Sequence, residues 1–167
     1  MENDIHDPNT YIDPKTEDIL LSDVKEADLK ESVAEALRVV FLSTPPPTET
    51  LTWPVKGILF GLNMKPFASL VVGTRSGKVK FNVFFLIDTG SPNTHISATT
   101  MEALGYKDTI PQIITGKIQG VPMASISLSP LSSHYADLNV LGANFFGAAR
   151  GKLSINYASL DVLLEKE

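Results

Sequence analysis

Apolar residues follow two different spacings along the chain. Over about residues 23–42 they recur every three or four positions, which predicts one amphipathic helix beginning after the polar pair Ser22-Asp23. Its apolar stripe consists of Leu29, Val33, Ala36, Leu37, Val40 and Phe41. From residue 67 onward, short runs of Val, Phe, Leu and Ile alternate with turn residues, which predicts strands. The pattern therefore predicts a helical arm followed by a mainly β domain.

Two strand pairs and one helix are predicted within the β domain. Phe67–Gly73 and Lys78–Ile87 form a predicted β-hairpin, because the turn residues Thr74-Arg-Ser-Gly77 separate them. Residues 143–149 form a predicted short helix, which ends at Arg150 and Gly151. A second strand pair, 152–157 and 161–164, follows the helix. Residues 125–133 are rich in Ser and Pro and are predicted to be irregular.

The glycines at the hairpin turn resemble those of a phosphate-binding loop. However, three residues rather than four separate Gly73 from Gly77, and Val79 stands where Ser or Thr would coordinate magnesium. The stretch also lies between two predicted strands instead of a strand and a helix. We therefore predict a turn without nucleotide chemistry.

Charge divides the chain near residue 50. Residues 1–50 hold 12 acidic and 4 basic side chains, whereas residues 51–167 hold 7 and 10. The change coincides with the run Pro45-Pro-Pro47, which cannot continue a helix. We predict an acidic arm, 1–50, and a compact domain, 51–167. Two roles for the arm stay open: its helix packs on the domain, or the arm covers the domain and regulates it as a pro-segment would.

Composition narrows the function classes. The chain has no cysteine, which excludes disulfides and cysteine-ligated zinc. No run approaches 18 apolar residues, and no basic stripe with interleaved aromatics is present, so we expect no membrane span and no nucleic-acid partner. The acidic start lacks the order of a secretory signal, which favours an intracellular, cytoplasmic location.

The main chemical candidate is a carboxylate at the end of an apolar strand. Phe84-Phe-Leu-Ile87 predicts a buried strand, and Asp88-Thr-Gly-Ser91 follows it directly. A carboxylate placed there must be paired, hydrogen-bonded or catalytic, because burying an isolated ionised carboxylate is costly. Gly90 allows close approach of the backbone, and Thr89 and Ser91 supply hydroxyl groups. The structural alternative is an Asx-turn that ends the strand.

The segment from Phe85 to Ser97 resembles the active-site loop of aspartic proteases, and the short domain resembles the retropepsin-like branch of retroviral, retrotransposon and related cellular enzymes. Downstream, Val140-Leu141-Gly142 resembles the family's two-hydrophobics-then-glycine segment, which forms a ψ-shaped loop behind the catalytic one. The resemblance covers about residues 67–164. It implies a closed β-barrel of the acid protease fold with one short helix, preceded here by the helical arm.

The resemblance implies an aspartic endopeptidase that works as a homodimer. Only Asp88 begins an Asp-Thr-Gly triplet, and 117 residues are too few for two catalytic lobes. Two copies of Asp88 would meet on a two-fold axis, share one proton, and activate a water for attack on a peptide or protein substrate. The chemistry requires no cofactor and no metal. The alternative is a catalytically weak or inactive module of the same fold that dimerises or binds peptides.

Supporting roles follow from the same resemblance. Thr89 would reach across the dimer, Gly90 would let the two loops approach, and Ser91 would hydrogen-bond the outer carboxylate oxygen. Val140, Leu141 and Gly142 would pack behind the catalytic loop. A flap should lie between Asp88 and Val140, and the candidate is the hairpin at 113–122, with Thr115, Gly116, Lys117 and Gly120 near its tip. This hairpin is either a short flap or an ordinary sheet element.

The other polar candidates have weaker patterns. His95 is either a packed histidine or a pH sensor. His134 and Asp137 lie three residues apart without further metal ligands, and Asp137 lacks the Thr-Gly of a second catalytic triplet. A phosphatase of the haloacid-dehalogenase type is also excluded, because that chemistry requires an acidic residue two positions after the nucleophile and this chain has Gly90 there.

Overall fold

The computed structural model describes residues 24–47, 51–133 and 135–167. Most of the acidic segment before the predicted helix lies outside this range, as does His134. The helix was predicted to start at residue 23, which is also outside the described residues.

The described chain is mainly β and closes into a barrel. The strands are β1 (Val55–Phe60), β2 (Lys65–Gly73), β3 (Lys80–Ile87), β4 (His95–Ile96), β5 (Ile113–Ile118), β6 (Val121–Leu128), β7 (Asn139–Leu141), β8 (Gly151–Asn156) and β9 (Asp161–Lys166). Their order is β3-β7-β4-β6-β5-β2-β1-β9-β8, and β2 also pairs with β3. This last pairing closes six strands into a ring, from which β1, β9 and β8 extend. The predicted β-rich barrel is confirmed.

Both predicted strand pairs are present. β2 and β3 pair antiparallel from Phe67↔Leu86 to Gly73↔Lys80, and Thr74 and Val79 close the turn with a 3.0 Å hydrogen bond. β8 and β9 form the terminal pair. The prediction of an irregular stretch at 125–133 was wrong at its start, because β6 continues to Leu128 with Ile126 and Leu128 buried.

Two short helices accompany the barrel where one was predicted. Helix α4 (Ala143–Ala149) is the predicted one, and it ends at Arg150 in the left-handed conformation. Helix α3 (Ala98–Ala103) was missed. Its N-cap is Ser97, whose hydroxyl accepts a 3.2 Å hydrogen bond from the N–H of Thr100. Such a cap satisfies one of the free N–H groups of the first turn.

The N-terminal helical segment is shorter than predicted. It consists of α1 (Glu26–Asp28), a π-helical stretch (Leu29–Val33) and α2 (Ala34–Leu37). Arg38 has a left-handed backbone with φ of 57°, which ends the helix before Val40 and Phe41. The chain then turns at Phe41 and Leu42 and reaches β3, where the Leu42 N–H donates to the carbonyl of Asn82 and the Asn82 N–H donates to the carbonyl of Ser43.

The apolar stripe of this segment packs on its own domain. Val24, Leu29 and Val33 are buried against one barrel face, in a cluster with Phe67, Phe84, Leu86 and Leu138. Glu26 accepts a 2.9 Å hydrogen bond from Thr99 on α3 and forms an ion pair with Lys30. The hydrogen bond from Lys30 holds the pKa of Glu26 below its usual value; burial opposes this effect, while the Thr99 hydroxyl adds to it. The first of the two roles considered for the arm is therefore the observed packing.

Candidate functional site

Asp88 is half-buried where β3 leaves the barrel wall. The four residues before it are all buried: Phe84, Phe85, Leu86 and Ile87. Asp88 is therefore the first residue after this run that solvent reaches. The Asp88 N–H donates to the carbonyl of Leu141 at 3.1 Å, which extends the ladder between β3 and β7. Its Oδ1 accepts a 2.9 Å hydrogen bond from the N–H of Gly90. Within the described residues, the ion pairs involve other carboxylates, so Asp88 has no cationic partner.

The segment after Asp88, residues 88–94, is called here the Asp88 loop. It connects β3 to β4, and β7 lies between these two strands, parallel to β3 and antiparallel to β4. Val140 pairs with Leu86 and also with His95. The predicted hydrophobic segment thus passes directly behind the loop. Both ends of the loop are therefore fixed to one buried strand.

Gly142 lets the loop sit against the end of β7. A Cβ added at Gly142 would lie 2.2 Å from the Asn93 carbonyl oxygen and 2.8 Å from that of Ser91, so no larger residue fits without moving the backbone. The N–H groups of Ala143 and Asn144 donate to the carbonyls of Ser91 and Pro92 at 2.8 and 3.1 Å. The first turn of α4 therefore holds the middle of the Asp88 loop.

Three polar side chains that the sequence analysis did not single out complete this support. Thr94 accepts from the N–H of Gly142 at 3.0 Å and donates to Asn144 Oδ1 at 2.7 Å. Asn139 is fully buried, where its Oδ1 accepts from the Ser97 N–H and the Thr100 hydroxyl, both at 2.9 Å. Its Nδ2 donates to the carbonyl of Phe84. These hydrogen bonds connect the end of the Asp88 loop to the start of α4, and connect β7 to β3 and to the start of α3.

The hydroxyl groups of the Asp88 loop are arranged differently from the expectation. Ser91 Oγ donates to the carbonyl of Asn93 at 2.7 Å, whereas it was expected to hydrogen-bond the Asp88 carboxylate. The reason is local, since the turn closed by Ser91 N–H on the Asp88 carbonyl directs this side chain along the loop. Thr89 and Gly90 are exposed at the surface of the protomer. A Cβ at Gly90 would lie 3.1 Å from Asp88 Oδ1.

A cavity of about 530 Å³ opens beside the carboxylate. This volume falls within the range of small-molecule and peptide side-chain pockets, about 300–1,000 Å³. Its wall includes Asp88, Pro92, His95, Pro130, Tyr135 and Val140. Pro130 and Tyr135 were missed by the sequence analysis, because they come from a loop about 45 residues away along the chain. Only the three-dimensional fold brings them to Asp88.

His95 is the one basic side chain in this wall among the described residues. Burial lowers the pKa of its imidazole, and a hydrogen bond with the backbone of Asn93 acts in the opposite direction. The ring is therefore neutral at physiological pH. The two interpretations from the sequence are not exclusive, since His95 is half-buried and also faces the cavity.

The predicted flap is an element of the barrel. The hairpin of β5 and β6 turns at Gln119 and Gly120, which have φ of 47° and 78°. Gln119 is buried, its Oε1 accepts from the Val71 N–H at 3.0 Å, and its Nε2 donates to the Thr52 carbonyl. Val71 pairs with Asn82, six residues before Asp88, which places the tip about 20 Å from the carboxylate along the strand. The hairpin therefore does not cover Asp88 in this protomer.

The other proposed flap residues lie away from Asp88 as well. Gly116 lies at a β-bulge, where a Cβ would come within 2.7 Å of the Gly73 carbonyl oxygen. Thr115, Gly116 and Lys117 line a separate surface groove together with Arg75. Of the two interpretations of this hairpin, a short flap or an ordinary sheet element, the close contact between β5 and β2 favours the sheet element.

Residues 24–47, 51–133 and 135–167 contain no group of three or more His, Asp or Glu side chains arranged to hold a metal ion. In the same residues, no helix has the length and apolar content needed to cross a membrane. Comparison of the chain with protein-family models, with curated proteins and with solved structures found no match.

Proposed function

We propose that this chain is an aspartic endopeptidase of the retropepsin type, active as a homodimer. The observation that carries the proposal is the state of Asp88: a carboxylate at the end of a fully buried strand, beside a cavity, with no cationic partner among the described residues. A structural carboxylate in such a position is normally neutralised by a cation or by several hydrogen bonds. Asp88 Oδ1 accepts one short hydrogen bond, from Gly90.

The environment of Asp88 suits a shared-proton mechanism. Each protomer supplies one such carboxylate, and two that meet on a two-fold axis share a single proton. The ionised carboxylate takes a proton from a water, whose oxygen attacks the carbonyl carbon of the peptide bond. The protonated carboxyl donates its proton to the carbonyl oxygen, which becomes a hydroxyl of the tetrahedral diol. The diol collapses as the amine leaves with the proton that the first carboxylate took from the water, and a diol hydroxyl returns a proton to the other carboxylate.

The supporting residues fit this mechanism in position. Thr89 and Gly90 are exposed and therefore available to a second protomer. The backbone is held from behind through Gly142, Ala143 and Asn144. A rigid loop is what two carboxylates need in order to meet at a fixed distance, because misplacement of about 1 Å costs about a hundredfold in rate.

Replacement of the carboxylate tests the proposal. Asp88→Asn keeps the size of the side chain and removes the charge, and we expect hydrolysis of a diverse peptide library to fall by at least about a thousandfold. Asp137→Asn is the matched control, since this exposed carboxylate lies outside the cavity wall. Mass spectrometry of the library measures cleavage, and thermal melting verifies that both variants fold. Equal cleavage by Asp88→Asn and the parent would exclude the proposed mechanism.

A second candidate function is a peptide-binding or dimerisation module with little turnover. The position of the β5–β6 hairpin favours it, because without a covering element the cleft excludes water poorly. Tight binding of a statine-type peptide, together with no cleavage of the library by the parent chain, would support this candidate over the enzyme.

A further inference from the structure

The wall of the cavity beside Asp88 is partly apolar and partly polar. Pro92, Pro130 and Val140 give it an apolar surface, and Asp88, Tyr135 and His95 add polar groups. Of these polar groups, Asp88 is the proposed catalytic carboxylate. His95 lies on β4, held between Val140 of β7 and Ser127 of β6 in the sheet register. The imidazole is therefore placed by the barrel and not by a mobile loop.

The neutral imidazole of His95 offers both kinds of hydrogen bond. One ring nitrogen carries a proton and donates, and the other accepts. The ring lines the cavity beside Asp88. The described residues contain no fully buried side-chain nitrogen or oxygen without a hydrogen-bond partner, so neither nitrogen of this ring is both fully buried and unpartnered.

Few charges surround the ring. The groups that could titrate in the cavity wall besides His95 are Asp88 and Tyr135. The residues that pair with His95 in the sheet, Ser127 and Val140, carry no charge. Asp137 is exposed and lies outside the wall. Within the described residues, His95 is therefore a neutral hydrogen-bonding group in a wall that is partly apolar.

We infer that His95 is a specificity-determining residue, which selects substrates with an uncharged hydrogen-bonding side chain, such as the amide of Gln, next to the cleaved bond. This inference rests on the proposed function, because it assigns a role to the cavity at the proposed catalytic carboxylate. The apolar wall accepts the aliphatic part of such a side chain, and the neutral imidazole of His95 hydrogen-bonds its amide end.

Acidification changes what the same ring can bind. Below its pKa, which burial lowers, His95 carries a proton on both nitrogens and has no acceptor left. It then donates a hydrogen bond with a positive charge, which favours a carboxylate. The preference therefore moves from Gln at neutral pH toward Glu at acidic pH.

Three peptide series that differ at one residue test the inference. Gln, Glu or Met, which are similar in size, is placed in turn at each of the positions flanking the cleaved bond. The ratios of kcat/KM for Gln over Met and for Glu over Met are measured at about pH 7.5 and about pH 5. Ratios taken on one enzyme at one pH cancel the titration of the catalytic pair. Peptide binding to Asp88→Asn, measured by calorimetry, gives the same ratios without turnover.

We expect one position at which the parent prefers Gln over Met by about fivefold at neutral pH, the size of one net hydrogen bond. The Glu/Met ratio at that position should rise by a similar factor on acidification. His95→Leu should abolish both effects. His95→Gln, which keeps an acceptor but cannot titrate, should restore the Gln preference without the pH dependence, and the control Asp137→Asn should behave as the parent.

The outcomes separate the two proposals. Identical ratios in the parent and His95→Leu at every position, in both hydrolysis and binding, would overturn the role of His95 while leaving catalysis by Asp88 intact. Absence of hydrolysis with His95-dependent binding ratios would overturn the enzyme and retain His95 as a selective wall of a peptide-binding cleft.

Discussion

The Asp88 loop and the β5–β6 turn are two glycine-containing turns of the same barrel. They differ in how far their polar side chains are buried and hydrogen-bonded. At the β5–β6 turn, Gln119 is buried, and its amide group bonds at both ends to the backbone of neighbouring segments. At the Asp88 loop, the carboxylate is half-exposed, and its Oδ1 accepts one hydrogen bond from its own loop.

Under our proposal, this difference separates a structural polar group, Gln119, from a catalytic one, Asp88. Both ends of the Gln119 amide are bonded within the fold, and losing them would leave the buried N–H of Val71 without this partner. The carboxylate of Asp88 keeps acceptor capacity, while the loop around it is held by Gly142, Ala143 and Asn144. A fixed backbone that carries an incompletely bonded side chain is typical of a site prepared for a ligand.

The largest expected effect on stability comes from Gly142, where the Asp88 loop packs against the end of β7. Gly142→Ala would place its Cβ against the Asn93 and Ser91 carbonyl oxygens, and we expect it to destabilise the fold by about 3 kcal/mol or more. Gly147→Ala on the same helix is the matched control, because a Cβ there meets no atom within 4 Å; it should be neutral or stabilise by up to about 1 kcal/mol. Urea unfolding measures both variants. Equal stability of Gly142→Ala and Gly147→Ala would contradict the close packing of the loop on Gly142.

An intermediate effect is expected at the β5–β6 turn. Gln119→Ala removes the side-chain partners of the Val71 N–H and the Thr52 carbonyl, and we expect a loss of about 2 kcal/mol in the free energy of unfolding. Gln112→Ala, at an exposed position, should change it by less than about 0.5 kcal/mol. If this turn moved as a flap instead, Gln119→Ala would alter KM and leave stability unchanged.

The smallest effect is expected from Ser91. Because its hydroxyl donates to Asn93 and not to Asp88, Ser91→Ala should cost less than about 1 kcal/mol and leave the pH profile of kcat unchanged. Ser133→Ala removes a hydroxyl that donates to the Pro130 carbonyl and also accepts from the Tyr135 N–H, so its loss of stability should be at least as large as that of Ser91→Ala. A shift of the acidic limb of the profile in Ser91→Ala alone would mean that this hydroxyl contacts the carboxylate during turnover.

Local patterns were sufficient to predict much of the fold. The apolar run before Asp88, the β2–β3 hairpin and α4 are all encoded by neighbouring residues, so the sequence analysis found them. Helix α3 was missed because its six residues include two threonines, which are weak helix formers, and a Ser97 cap compensates for them. The alternation of Ser125, Ile126, Ser127 and Leu128 in β6 was hidden by the surrounding serines and prolines.

The site could be predicted only in part. Asp88 was found because strand and turn adjoin in the sequence. The cavity wall was not, since Pro130 and Tyr135 arrive through the closure of the barrel. The choice between a flap and an ordinary sheet element stayed open for the same reason, because a two-residue turn with Gly120 has the same sequence pattern whether its tip is free or bonded to β2. Long-range pairing, which a local pattern does not contain, decides between these possibilities.

The central claim, that one active site uses the Asp88 of two protomers, is tested most directly by mixing subunits. Parent and Asp88→Asn chains are refolded together in varying proportions, and peptide hydrolysis is measured per total protein. If each site needs both carboxylates, activity falls with the square of the parent fraction, so that an equal mixture retains about one quarter. A linear fall, with half the activity in an equal mixture, would show that a single Asp88 suffices and would contradict the account.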